Sequence, residues 1–286
     1  MTIDPERLLQ RRFPVIEQRY TQRDTILYAL GVGVGMDPTD RAALSFVYDR
    51  GLRALPTMAA VLATPGFWVR EPDTGIDWVR LLHGEQEMVF HRLLPPEGTV
   101  RAQTRVTGLV DKGPGKGALI YAERQGIDVA TGDLLFSVRQ TAFARGDGGF
   151  GGPDGPVRPA HAMPERAPDD HCDLPTLPQA ALIYRLSGDD NPLHADPDVA
   201  AQAGFPRPIL HGLCTLGVAG YALLKTCCGY DPARLRSLQV RFTAPVFPGE
   251  TLRTELWREG AGVSFRTRVL ERDAVVLNNG RAELAA

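Results

Sequence analysis

Apolar side chains surround almost the whole circumference of the stretch that begins at His211: Leu213, Cys214, Leu216, Val218, Ala219, Tyr221, Ala222, Leu223 and Leu224 leave it no polar face. A helix with that pattern is expected to be buried on every side. Gly212, Gly217 and Gly220 interrupt it, each at a cost of roughly 1 kcal/mol against alanine. They predict another backbone passing close by, and Gly229 predicts the helix end. A second texture runs from Met88 to Phe143, where alternating and β-branched runs (MVFHRLL, VRAQTRVTGLV, GALIYAERQGIDV, DLLFSVRQTAF) are separated by PPEGT, DKGPGKG and ATG. These are turn signals, so the segment reads as an antiparallel meander. GPGKG lacks the remainder of a phosphate loop and is read as one of the turns. The first 20 residues read as a short helical lead-in, Thr21 or Asp24 as a cap for the helix DTILYALGVG, and Leu55-Pro56-Thr57 as the start of another short helix. Gly31, Gly33 and Gly35 follow a helical pattern rather than a strand, which removes the nucleotide-fingerprint reading.

The pattern occurs twice. FHRLLPPEGTVRAQTRV (90–106) lays onto FTAPVFPGETLRTELW (242–257), pairing Phe90 with Phe242, Thr99 with Thr251 and Arg101 with Arg253. TILYALGVGVG (25–35) lays onto ALIYRLSGDDN (181–191), pairing Tyr28 with Tyr184. Between the copies, residues 146–178 are rich in Gly, Pro and Asp and read as a linker with little structure of its own. The chain therefore divides into an N-terminal unit over 1–145, the linker, and a C-terminal unit over 179–286. The second unit restarts with helix, polar loop and long helix, then SLQVRFTAP, TLRTELWRE, VSFRTRVLE and AVVLNNGRAEL. One apolar helix beside an antiparallel sheet is an α+β unit whose sheet wraps the helix, and two such units can join sheets edge to edge.

Composition narrows the partners. A formal net charge of −2 over 286 residues gives no basic footprint, so neither nucleic acid nor a membrane surface is an expected partner. No apolar run approaches the ~20 residues that span a bilayer, and MTIDPERLLQRRF offers no secretory signal. AELAA is not a peroxisomal address of the SKL type. Cys172, Cys214, Cys227 and Cys228 have no CxxC spacing and read as buried small hydrophobes, so the expected compartment is the cytoplasm. His83, His91, His161 and His171 lack ligand spacing, and no metal site is expected.

The candidate chemistry lies just ahead of the apolar helix, in GDDNPLH. Asp189 and His194 stand five positions apart across an Asn-Pro turn, and a carboxylate with an imidazole suits acid–base work near neutral pH. The same residues are also good turn formers. Asn191 can hold a water or steady a side chain. The first turn of the helix leaves amides unpaired and partly positive. Gly212 would let a carbonyl oxygen approach its N–H, as an oxyanion site requires, although glycine at a helix start also serves packing. Asp196 and Asp198 read as caps of a short helix at 197–203, and Lys225 as the point where the buried helix reaches solvent.

The segment YRLSGDDNPLHADPDVAAQAGFPRPILHGLCT resembles the hydratase-2 motif of MaoC-like (R)-specific enoyl-CoA hydratases, at Tyr184, Gly188, Asp189, Asn191, Pro192, His194 and the Pro-Ile-Leu-His-Gly run. The resemblance extends over both units, and the chain is similar to the double hot-dog members, whose N-terminal copy has lost the catalytic loop. It implies an α+β double hot-dog fold of two tandem repeats, each a central helix wrapped by an antiparallel sheet. It further implies syn addition of water to a trans-2-enoyl-CoA by Asp189 and His194. Asn191 would organise the site, the Gly212 N–H would hold the thioester oxygen, and the N-terminal unit would form the acyl pocket. Arg207, His211 and Tyr184 are candidate substrate-binding residues, Arg207 for a CoA phosphate. No cofactor is expected, because the thioester is the electron sink, and a homodimer is the expected assembly. A thioesterase and a non-catalytic acyl-CoA-binding module are the alternatives, because one fold hosts several chemistries.

Overall fold

In the computed structural model, which describes residues 2–155 and 157–285, ten strands form one antiparallel sheet. The strands are β1 (Val15–Tyr20), β2 (Leu81–Phe90), β3 (Gly98–Asp111), β4 (Ala118–Asp128), β5 (Leu134–Ala144), β6 (Asp170–Pro175), β7 (Leu235–Phe242), β8 (Thr251–Glu259), β9 (Gly262–Val269) and β10 (Ala274–Leu284). Their order is β1-β3-β4-β5-β2-β7-β10-β9-β8-β6. Adding five to each label in the first half gives the second half reversed, so the sheet has a dyad at the β2–β7 junction. The register agrees: Glu85 pairs with Arg241, Val89 with Ser237, and Glu87 with Gln239. Moving each partner by the 152 positions that separate Phe90 from Phe242 turns the first pair into the second and returns the third to itself. The fold is a double hot-dog.

The helices are α1 (Pro5–Leu9), α2 (Gln22–Gly31), α3 (Ala180–Tyr184), α4 (Pro197–Gln202) and α5 (Gly212–Cys227). Asp24 accepts from the Thr21 amide and hydroxyl at the start of α2, and Asp196 caps α4 through the Asp198 amide. Every residue of α5 from Cys214 to Leu224 is buried. Lys225 does reach solvent, where it pairs with Asp40 at 3.4 Å. One core joins α5 to the inner faces of both halves through Met88, Phe136, Val138, Leu238, Val240 and Phe265.

Three features differ from the reading of the sequence. The lead-in over residues 1–20 is helical only at Pro5–Leu9 and ends in β1; the linker over 146–178 contains β6. These are the two outer strands of the sheet. Their residues are largely exposed, so neither carries the apolar alternation that marks a half-buried strand. In the N-terminal copy, the place of a long central helix is taken by irregular chain with a 3-10 turn at Pro56–Ala60. That turn lies against α5, which occupies the space between the halves. The glycines of α5 make room for side chains rather than for a backbone. A Cβ at Gly220 would lie 2.5 Å from Thr57 Cγ2, and one at Gly217 would lie 2.5 Å from Val32 Cγ1.

Gly217→Ala sets a helix-propensity gain of about 1 kcal/mol against overpacking that costs about 1–3 kcal/mol. Val32 is fully buried and has nowhere to retreat, so the clash wins. Chemical denaturation should show the variant less stable, whereas the same substitution in a Val32→Ala background should be neutral or stabilising.

Candidate active site

The chain leaves α3 through a 3-10 turn at Arg185–Ser187 and reverses at Gly188, whose φ of +112° is a left-handed geometry that suits glycine. Asp189 follows, and its Oδ1 accepts from the Asn191 amide at 3.3 Å. Asn191 Oδ1 then accepts from the Leu193 amide at 3.1 Å and caps the single turn Pro192–His194. The local chemistry of DNP therefore holds His194 in place, and Asn191 acts through that turn.

His194 is almost wholly buried, with its Nδ1 2.9 Å from the carbonyl oxygen of Ile209. A carbonyl can only accept, so Nδ1 carries the proton and Nε2 of the neutral ring keeps a lone pair. Burial holds His194 below the usual imidazole range, opposed by the Ile209 bond and the Asp189 carboxylate. The His211 ring stacks on it, with centroids 3.8 Å apart and planes within 30°. His211 in turn donates from Nε2 to the Asp189 carbonyl at 3.2 Å. Burial, then the neighbouring His194, pushes the His211 pKa down to about 3. His211 immediately precedes Gly212, the first residue of α5. The carboxylate, the free imidazole nitrogen and the amide at the helix mouth are thus tied together by one stacked pair and one hydrogen bond.

The donor atoms of Asp189, His194 and His211 lie within 4.8 Å of one another, a spacing that a metal ion could use. The stacked rings argue against that use, since their in-plane lone pairs run side by side instead of converging on one point. Two of the three substrate-binding candidates lie inside the protein. Tyr184 is fully buried beneath His211 and Tyr28, with ring centroids at 5.0 and 5.9 Å, and cannot touch a substrate from there. His211, 1% exposed, supports Asp189 and His194 rather than facing a ligand. Arg207 is exposed on the approach to α5, with its guanidinium 5.0 Å from the centre of the Phe247 ring. Arg272 lies over the same ring at 5.5 Å, an arrangement nothing in the local sequence signals. A small cavity of about 90 Å³ elsewhere, between β2 and β7, is lined by Glu85, Glu87, Arg139 and Arg241, which pair with one another.

Residues 159–279 match the MaoC like domain, and residues 18–146 match the MFE-2 hydratase 2 N-terminal domain. The chain belongs to the MaoC-like family. It is 44% identical over 294 residues to 3-hydroxyacyl-thioester dehydratase Y of Mycobacterium tuberculosis, covering 100% of both chains. Its identity to the peroxisomal enoyl-CoA hydratase 2 of Arabidopsis thaliana is 41%, over 94% of this chain and 92% of that one. Among solved structures, a MaoC-like dehydratase from Phytophthora capsici superposes with a TM-score of 0.86 at 36% identity, covering 98% of each chain. In this MaoC-like chain the second copy carries Asp189 and His194. The first copy has Gly33 and Gly35 in the corresponding loop, both at a φ of +85°.

The His211 pKa fixes a sign for acid stability. The unfolded chain takes up a proton on this side chain below its ordinary 6.5, while the folded chain resists until about 3. Stability from this group is therefore complete above 6.5 and is lost as pH falls through that window, by at most a few kcal/mol. Thermal melts from pH 7 to pH 4 should show the wild type losing more stability than His211→Asn. Equal slopes would remove His211 as the cause.

Proposed function

We propose that the protein is an (R)-specific 2-enoyl-CoA hydratase, equally a (3R)-hydroxyacyl-CoA dehydratase, with Asp189 and His194 as its catalytic pair. The observation that carries this is the Nε2 of a neutral His194, left free by the Nδ1–Ile209 bond, in a cluster with Asp189 and His211 whose polar atoms lie within 4.8 Å of one another. His211 directly precedes the first amide of α5. Asp189 and His194 bind one water between them. As its oxygen bonds to C3, His194 Nε2 accepts a proton, and the electron pair of the double bond moves into the thioester. The Gly212 N–H then meets the enolate oxygen at the positive end of α5. The pair returns a proton to C2 from the face that water attacked, so both new bonds form on one side. The reverse sequence expels water. Asn191 keeps the His194 turn in register, and Arg207 beside Phe247 is offered to a CoA phosphate.

No cofactor enters this scheme, since the thioester carbonyl takes the electrons. Among the described residues, no helix is long and apolar enough to cross a membrane. Four free, buried cysteines suit a reducing compartment such as the cytoplasm, although several relatives are named as peroxisomal. A homodimer is the proposed assembly, supported by the outer edges of β1 and β6, whose unpaired backbone groups a second copy can cover. Sedimentation equilibrium should give twice the chain mass.

Asp189→Asn and His194→Gln should each lower hydration of crotonyl-CoA by at least about 100-fold with an unchanged melting temperature. Chiral analysis of the wild-type product from a longer trans-2-enoyl-CoA should give the 3R alcohol. Full activity in either variant would reject the assignment, and release of free thiol would favour a thioesterase.

A further inference from the structure

His83 is a half-buried residue whose ring nitrogen Nε2 is sealed from solvent and which the scheme above leaves unused. It lies on β2 of the N-terminal copy, next to Gly84, where the pairing with β5 slips: His83 opposes Ala142 but Glu85 opposes Thr141. The extra residue is a β-bulge, which turns His83 to the face that also carries Met88 and the core. There its ring lies 4.6 Å from the ring of Phe242. Phe242 also lies against Gly212, where an added Cβ would be 3.2 Å from its Cε1. A residue of the first copy thus packs on the ring that covers the start of α5 in the second.

The duplication supplies an internal control. The same slip occurs on β7, where Leu235 opposes Leu284 and Ser237 opposes Glu283. The bulge therefore belongs to the repeat. The residue it turns inward at the mouth without an acid–base pair is Leu235, which is 1% exposed. Folding is satisfied by an apolar side chain at this point, and only the mouth that holds Asp189 and His194 has a histidine. That histidine is costly. Its Nε2 is sealed from solvent with no hydrogen-bond partner in range, and burial, opposed only in part by the neighbouring Gln86 side chain and Glu85 backbone, pushes its pKa down to about 4, so the ring is neutral near pH 7. Buried polar atoms of folded proteins are normally paired, and an orphan calls for a reason.

We propose that His83 is a specificity-determining residue whose Nε2 hydrogen-bonds a neutral polar group on the thioester chain. This rests on the hydratase reading for the position of the thioester at Gly212. The Phe242 ring packs against the His83 ring, and on this proposal the bound chain displaces it to reach Nε2. Two parts of a CoA thioester carry such a group: the pantetheine amide, or an oxygen substituent on the acyl chain. Either satisfies a neutral imidazole, which both donates and accepts.

The test uses His83→Leu, the residue found at the matching bulge, checked for an unchanged melting temperature. Calorimetric binding of butyryl-CoA, which cannot be hydrated, is measured beside kcat/KM for three substrates: crotonyl-CoA, the S-propyl thioester of crotonate, and 5-hydroxyhex-2-enoyl-CoA. If the pantetheine amide is the partner, butyryl-CoA binding and kcat/KM for crotonyl-CoA fall by about ten-fold or more. The S-propyl thioester then falls at least several-fold less. If an acyl oxygen is the partner, the excess loss is confined to the hydroxylated substrate, and His83→Asn restores part of it. Equal losses on all three substrates, or none beyond two-fold with unchanged butyryl-CoA binding, overturn the proposal. A wild type that binds butyryl-CoA but hydrates none of the three overturns the hydratase reading, while the binding comparison still decides the role of His83.

Discussion

The whole arrangement depends on burying α5 from all sides at once. A sheet can cover only one face of a helix, so the other must be covered by a second layer. Here that layer is Tyr28, Val32 and Thr57 of the first copy, pressed against the glycines of α5. The contact fixes the helix axially as well as laterally. A shift of one turn would carry Gly217 and Gly220 away from Val32 and Thr57 and bring bulkier residues against them. Because α5 cannot slide, the start of the helix, with His211 hydrogen-bonded to the Asp189 carbonyl, is held at a fixed point.

The duplicated sheet shows how one mouth came to hold the Asp189–His194 pair while its counterpart did not. The β2–β7 junction relates the copies by a dyad, and each mouth draws on both. Asp189 and His194 come from the second copy, and His83 arrives from the first. The loop equivalent to the acid–base turn is reduced to glycines in left-handed conformations, and its central helix to a single 3-10 turn. That loss is what lets the first copy act as a wall for α5.

Electrostatics at the site follow from packing more than from ion pairs. Stacking His211 on His194 in a dry environment makes a second positive charge costly, and the lower ring stays neutral far into the acid range. A neutral His211 donates to the Asp189 carbonyl, which holds the loop against the helix start. The hydrogen bond from His194 Nδ1 to Ile209 selects the tautomer that leaves Nε2 free. Which ring nitrogen stays free is therefore chosen by a backbone carbonyl, not by an acidic partner.

By itself the sequence determined the buried helix, the eight strands with clear alternation or β-branched runs, the duplication, and the Asp189–His194 turn. Each of these is written in local chemistry: periodicity, turn residues, and an Asx cap that shapes its own loop. It did not reveal β1 or β6, because outer strands with one paired side and exposed residues carry no apolar signature. It left open whether Tyr184 and His211 face a ligand or pack inside, since the residue type shows a polar group but not whether another layer closes over it; both are buried. His83 was set aside for want of ligand spacing. Only the tertiary structure brings it against Phe242, which itself packs on Gly212, because the bulge that turns it inward is defined by pairing with β5, and the ring it meets lies on a strand more than 150 residues away. Convergence from two copies is a property of the sheet's register, which no single stretch of chain encodes.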